Sequence, residues 1–137
     1  MDSILETLQQ GLPVLVGQFA ATLALLGIGI ACYTALTPFH EQRLIREGNV
    51  AVGIVVAGTL IALAMPLAAT LASSVVLLDI MLWGVVALLI QLATFAAATA
   101  LIRGLREMIE AGNIAAALVL IGIQIAVALL NAGAMAG

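Results

Sequence analysis

Arg46-Glu47-Gly48-Asn49-Val50-Ala51 opens one long apolar run, and Glu110-Ala111-Gly112-Asn113-Ile114-Ala115 opens another 64 positions later. Two further apolar runs of similar length lie before and between them. The chain therefore reads as a helical hairpin copied head to tail, with repeat one over about 12–71 and repeat two over about 80–134. Each run supplies the about 20 apolar residues that a helix needs to cross hydrocarbon. The expected fold is all-α: a single membrane domain over 1–137, with four transmembrane helices arranged as two hairpins of the same orientation.

Composition names the solvent. Of 137 residues, 65% are hydrophobic and only 8% are charged, and the mean hydropathy is +1.31. So few charges cannot cover a water-soluble surface, so lipid must surround most of the chain. There is no lysine, and four arginines face seven acids. No basic patch exists to neutralise a phosphate backbone, which argues against nucleic-acid binding. Cys32, inside an apolar run, behaves as a small hydrophobe. The acidic start, Met1-Asp2-Ser3-Ile4-Leu5-Glu6, lacks the basic segment of a secretory signal, so the first run is expected to be a retained anchor.

The expected spans are Leu12 to Leu36, Asn49 to Leu71, Ile80 to Ile102 and Asn113 to Ala134. The first has Pro13 in its opening turn and stops at Thr37-Pro38, since the residue before proline leaves the helical region. Arg43 and Arg46 fall between spans one and two, and Arg103 and Arg106 between three and four. The opposite side carries no arginine or lysine, so the positive-inside rule puts both loops in the cytoplasm and both termini outside. Gly58, Ile61, Ala62 and Ala64 match Gly122, Ile125, Ala126 and Ala128 at the same offset. The duplication is thus clearest in spans two and four, as a parallel rather than an inverted repeat.

Three groups of residues could carry chemistry. Gly48-Asn49 and Gly112-Asn113 stand where helices enter the membrane; asparagine is a preferred N-cap, and capping alone accounts for both pairs. The sharper alternative is an anion site at paired helix N-termini. In the loops, Arg43 and Glu47, Arg103 and Glu107, and Arg106 and Glu110 are each four apart. That spacing suits ion pairs on short helices projecting from the spans, with Leu44-Ile45 and Met108-Ile109 as their apolar side. Such helices would rest on lipid headgroups or, with Arg46, form a docking surface for a cytoplasmic protein. Within the spans, Gln91 and Thr94 share one face, and Gln124 and Asn131 another. Gln18, Thr22, Gly29 and Tyr33 share a face of span one, and Thr59 and Pro66 one of span two. These groups either bond helix to helix, their commoner use, or line a narrow wet path. His40, near Glu41, is read as an interfacial residue.

One histidine and one cysteine, with no carboxylate pair in an apolar run and no glycine-rich phosphate loop, give no route to a triad, metal centre or acid–base pair. No enzyme, cofactor or metal is expected. The small-xxx-small pairs at Gly58/Ala62, Gly122/Ala126, Ala64/Ala68 and Ala128/Ala132 let helices approach closely. They suggest a close-packed centre of spans two and four and spare faces for a homo-oligomer.

The openings Glu47-Gly48-Asn49-Val50-Ala51 with Gly58, and Gly112-Asn113-Ile114-Ala115-Ala116-Ala117 with Gly122, resemble the YjfL-like small bacterial inner-membrane proteins. That family has a duplicated two-helix unit and no known function. The resemblance covers most of the chain and implies a bacterial plasma-membrane protein. It supplies no activity or site. In other members a glycine often follows the Gly58-type position, where this chain has Leu63 and Ala64. Two functions remain open. One is a homo-oligomeric passive pore lined by Gln91, Thr94, Gln124 and Asn131. The other is a membrane scaffold that recruits a cytoplasmic protein through its arginine-bearing loops.

Overall fold

The structure, a computed structural model, describes residues 1–37 and 41–136; the expectations for Pro38 and His40 lie outside the described residues. Four long helices cross the molecule: α1 (Asp2–Leu36), α3 (Val50–Ser73), α4 (Leu77–Leu101) and α6 (Ile114–Ala136). All four are long and apolar enough to span a bilayer. Two six-residue helices, α2 (Glu41–Arg46) and α5 (Leu105–Glu110), sit between the members of each pair. All the secondary structure among the described residues is helical.

The boundary that moves most is the start of α1. It begins ten residues before the expected span, so Pro13 lies inside the helix rather than in its opening turn. Asp2 in the first turn favours this early start, and the Thr7 hydroxyl donates to the Ser3 carbonyl (2.7 Å). At about 1.5 Å per residue α1 is roughly 52 Å long, well beyond a hydrocarbon layer of about 30 Å. Its first turns therefore extend past the membrane or tilt within it.

The Gly-Asn pairs explain how two helices join with no spare residue. Gly48 has φ +83° and Gly112 φ +91°, the left-handed region open to glycine. The N–H of Gly48 donates to the Ile45 carbonyl and that of Asn49 to Leu44; Gly112 and Asn113 donate likewise to Ile109 and Met108. Each short helix thus ends in a Schellman motif. The following asparagine at once caps the next helix, Asn49 Oδ1 accepting from Val52 N (3.1 Å) and Asn113 Oδ1 from Ala116 N (3.2 Å). All three interactions recur at a 64-residue offset.

The most extensive helix contact is α3 on α6; α4 touches α1, α3 and α6, and α1 flanks α3 and α4. Glycines set the approach of these helices. A Cβ on Gly58 would lie 2.3 Å from Ile121 Cδ1, so α6 seats a branched side chain directly on the α3 backbone. Leu25 fills the notch at Gly84 and Leu88 the notch at Gly29, one turn further along. Two apolar clusters result. The larger, at the α2–α5 end, contains Tyr33, Val55, Phe95, Ile109 and Leu120, with Tyr33 and Phe95 edge to face at 4.8 Å. The smaller joins Leu25, Leu63, Leu67 and Leu88.

Candidate functional site: a polar seam inside the bundle

Three of the four polar residues proposed as a lining come together in the interior. Gln91 of α4 and Gln124 and Asn131 of α6 are buried, and Thr59 of α3 joins them. The Thr59 hydroxyl donates to Gln124 Oε1 (3.0 Å). Gln91 Nε2 donates to the Gln124 main-chain carbonyl (3.2 Å). Asn131 Nδ2 reaches the Ala87 carbonyl (3.3 Å) and Gln91 Oε1 (3.4 Å). Three helices are thereby cross-linked at membrane depth, where each such bond contributes about 0.6–1 kcal/mol. Thr94 stands apart: it is half-buried and its hydroxyl returns to the Ile90 carbonyl of its own helix (2.8 Å). The inward position one turn on from Gln91 belongs to Phe95, which is fully buried.

The cluster extends toward both ends of the bundle. Near the short helices, Tyr33 is wholly buried with Thr59 and Glu41 as neighbours. Glu41 itself is buried, and its Oε1 accepts the Thr37 hydroxyl at 2.7 Å. At about 1.5 Å per residue, Thr59 lies roughly 14 Å into α3 and Asn131 roughly 26 Å into α6. Thr70, also buried, follows near the far end. There it helps line a cleft of about 480 Å³ with Ser73, Ser74, Asp79 and Trp83. Buried or cleft-lining polar groups therefore run from Glu41 at one end to Asp79 at the other.

Three atoms in this seam meet no partner in hydrogen-bond geometry among the described residues: Gln124 Nε2, Asn131 Oδ1 and the Tyr33 hydroxyl, which lies beside the side chains of Thr59 and Glu41. A buried polar atom left so costs about 1–3 kcal/mol, and in native proteins such atoms are usually met by water. Thr59, Tyr33 and Glu41 were not tied to Gln124 by sequence. Their link is tertiary, and its only sequence signal is Gly58, whose missing side chain lets α3 bring Thr59 within reach of α6.

The other singled-out residues gather at one end. The Gly48-Asn49 and Gly112-Asn113 corners lie close together there, since Asn49 Nδ2 donates to the Glu110 carbonyl at 2.9 Å. In each corner the asparagine oxygen takes a helix N–H that an anion would otherwise use. Arg43 and Glu47 approach to 3.8 Å on the surface. Neither Arg103–Glu107 nor Arg106–Glu110 makes an ion pair among the described residues. For the first the cause is local: Gly104 (φ +70°) breaks the chain between α4 and α5, so Arg103 and Glu107 do not share a helix. The short helices turn their apolar side inward, with Leu105 and Ile109 buried and Leu44 and Met108 packed against the larger cluster. Arg43, Arg46, Arg103, Glu107 and Glu110 remain exposed. No group of three or more metal-binding side chains occurs among the described residues.

No solved structure matches the chain. Among known proteins it is similar to the UPF0719 inner membrane protein YjfL of Escherichia coli strain K12, 32% identical over 117 residues, covering 85% of this chain and 89% of the relative. The YjfL of Escherichia coli O157:H7 matches to the same extent. A family model described as Domain of Unknown Function (DUF350) matches residues 7–135. A chain matched over nearly its whole length, with a relative of the same extent, belongs to the DUF350 family of YjfL-like membrane proteins.

Proposed function

We propose that this protein is a non-catalytic passive permeation unit of the bacterial inner membrane, and that small neutral species cross it through the seam inside each protomer. The observation that carries the reading is the set of three unpartnered buried atoms on Tyr33, Gln124 and Asn131. Residues that only glued helices together would gain by satisfying one another, and apolar side chains would serve as well. Unsatisfied atoms at successive depths suit a file of exchangeable waters. The walls at mid-membrane are carboxamides and hydroxyls, with charge only near the ends, at Glu41 and Asp79. That favours water and solutes of a few heavy atoms over ions, and it argues against proton-coupled transport, which employs intramembrane charge.

In this reading the unit is a duplicated hairpin, supported by the cap and Schellman bonds that recur 64 residues apart. The arginine-bearing α2 and α5 lie in the cytoplasm and both termini outside, by the count of four arginines against none. Gly122 and Ala126 face outward on α6, where a second copy would pack to form the homo-oligomer. The test is stopped-flow osmotic and solute permeability of proteoliposomes. Gln124→Leu should abolish the excess permeability while oligomer size is retained. Wild-type vesicles no more permeable than empty ones would refute the proposal.

A second reading, a scaffold for a cytoplasmic protein, draws on the Asn49–Glu110 bond, which holds both loops side by side as one charged platform. It expects a co-purifying partner that is lost when Arg43, Arg46, Arg103 and Arg106 become alanine, with no flux in either form.

A further inference from the structure

We infer that the corner between α4 and α5 is a binding site for the phosphate of an anionic phospholipid. A cleft of about 380 Å³ opens there, lined by Ala96, Thr99 and Ala100 of α4, Arg103 and Arg106 on either side of the Gly104 bend, and Glu107. Arg103 is exposed and Arg106 half-buried, and neither has an acid within 4.0 Å among the described residues. Arg43, in the other loop, already faces Glu47. Two unpaired guanidinium groups flanking one cleft suit the oxygens of a phosphodiester, which accept bidentate hydrogen bonds.

Position decides in favour of a lipid over a soluble phosphate. The cleft lies at the end of the membrane-length helix α4, at headgroup depth, and its other wall is the outward face of that helix. Ala96 and Ala100 are exposed and small, and Leu101 beside them is 84% exposed. An acyl chain can lie along this face while its phosphate sits between the arginines. Glu107 bounds the cleft and weakens any anion there, so its charge sets the affinity rather than the site. Basic pockets at the edge of spans are a recurring way of holding anionic headgroups.

The experiment uses the full chain in nanodiscs of defined composition, with retained lipid counted by native mass spectrometry after mild extraction. Phosphatidylglycerol should be retained over phosphatidylcholine, and Arg103→Gln with Arg106→Gln should lower that preference roughly thirtyfold, the worth of two headgroup-facing arginines. Arg43→Gln with Arg46→Gln removes the same charge elsewhere and should leave the preference intact. Glu107→Gln should raise it several-fold. Equal loss in the two double variants would overturn the site in favour of diffuse attraction. Displacement of the lipid by millimolar inorganic phosphate would overturn the lipid assignment in favour of a soluble phosphate. Neither result depends on whether the seam conducts.

Discussion

Asn49 and Asn113 occupy equivalent corners, yet their removal should not cost the same. Each caps its helix through one backbone N–H, at 3.1 and 3.2 Å. Loss of an asparagine cap typically costs about 1 kcal/mol. Among the described residues only Asn49 of the two makes a second side-chain bond, from Nδ2 to the Glu110 carbonyl at 2.9 Å, and that bond joins the two halves of the chain. A net hydrogen bond of this kind contributes about 0.5–1.5 kcal/mol. Asn49→Ala should therefore destabilise by about 2 kcal/mol, and Asn113→Ala by about 1 kcal/mol. Asn49→Ser retains a capping oxygen without the long amide, so it should lose only the cross-loop share. Reversible unfolding in mixed detergent and SDS micelles reads the difference. Equal losses for the two alanine variants, or an Asn49→Ser protein as unstable as Asn49→Ala, would refute the claim that this side chain ties one loop to the other.

Gly58→Val should disrupt the α3–α6 contact by at least about 1–3 kcal/mol, because even its Cβ would fall 2.3 Å from Ile121. Gly122→Val, with nothing within 4 Å, should leave protomer stability unchanged in the same unfolding assay. Gly84→Ala drives a Cβ to 2.6 Å from Leu25 Cδ1, and Leu25→Ala should relieve part of that cost in a double-mutant cycle. Tyr33→Phe removes a hydroxyl that meets no partner in hydrogen-bond geometry among the described residues. In a hydrated seam it lowers proteoliposome permeability, whereas in a dry one it leaves permeability untouched and raises stability.

Much of the fold was legible in the chain because lipid imposes so narrow a choice of structure. Four apolar runs had to become four helices, since hydrocarbon leaves backbone groups no other partner. The Gly-Asn pairs announced the corners for the same local reason: one residue must take a positive φ and the next must cap. What escaped was whatever depended on contact between distant segments. Thr94 lies three residues from Gln91 and seemed an equal lining candidate, but Phe95 takes the inward place through its contact with Tyr33. Arg103 and Glu107 have ion-pair spacing, but Gly104 lies between them and breaks the helix. Glu41 reads as an ordinary loop acid; its burial comes from Thr37, which folds back as the cap of α1 and donates to it. The expected span began at Leu12 with Pro13 in its opening turn, whereas proline removes only one bond, and the eleven residues before it carry the helix back to Asp2.

The central claim is that the polar seam is wet. Water-edited solid-state NMR of the protein in lipid, with side-chain amides of Gln91, Gln124 and Asn131 resolved, tests it most directly. Magnetisation from water should reach the Gln124 and Asn131 amides about as fast as it reaches exposed Gln42, while the methyl groups of buried Leu63 and Leu67 stay dark. Amides as dark as those leucines would contradict the account and leave the seam as helix-to-helix bonding alone.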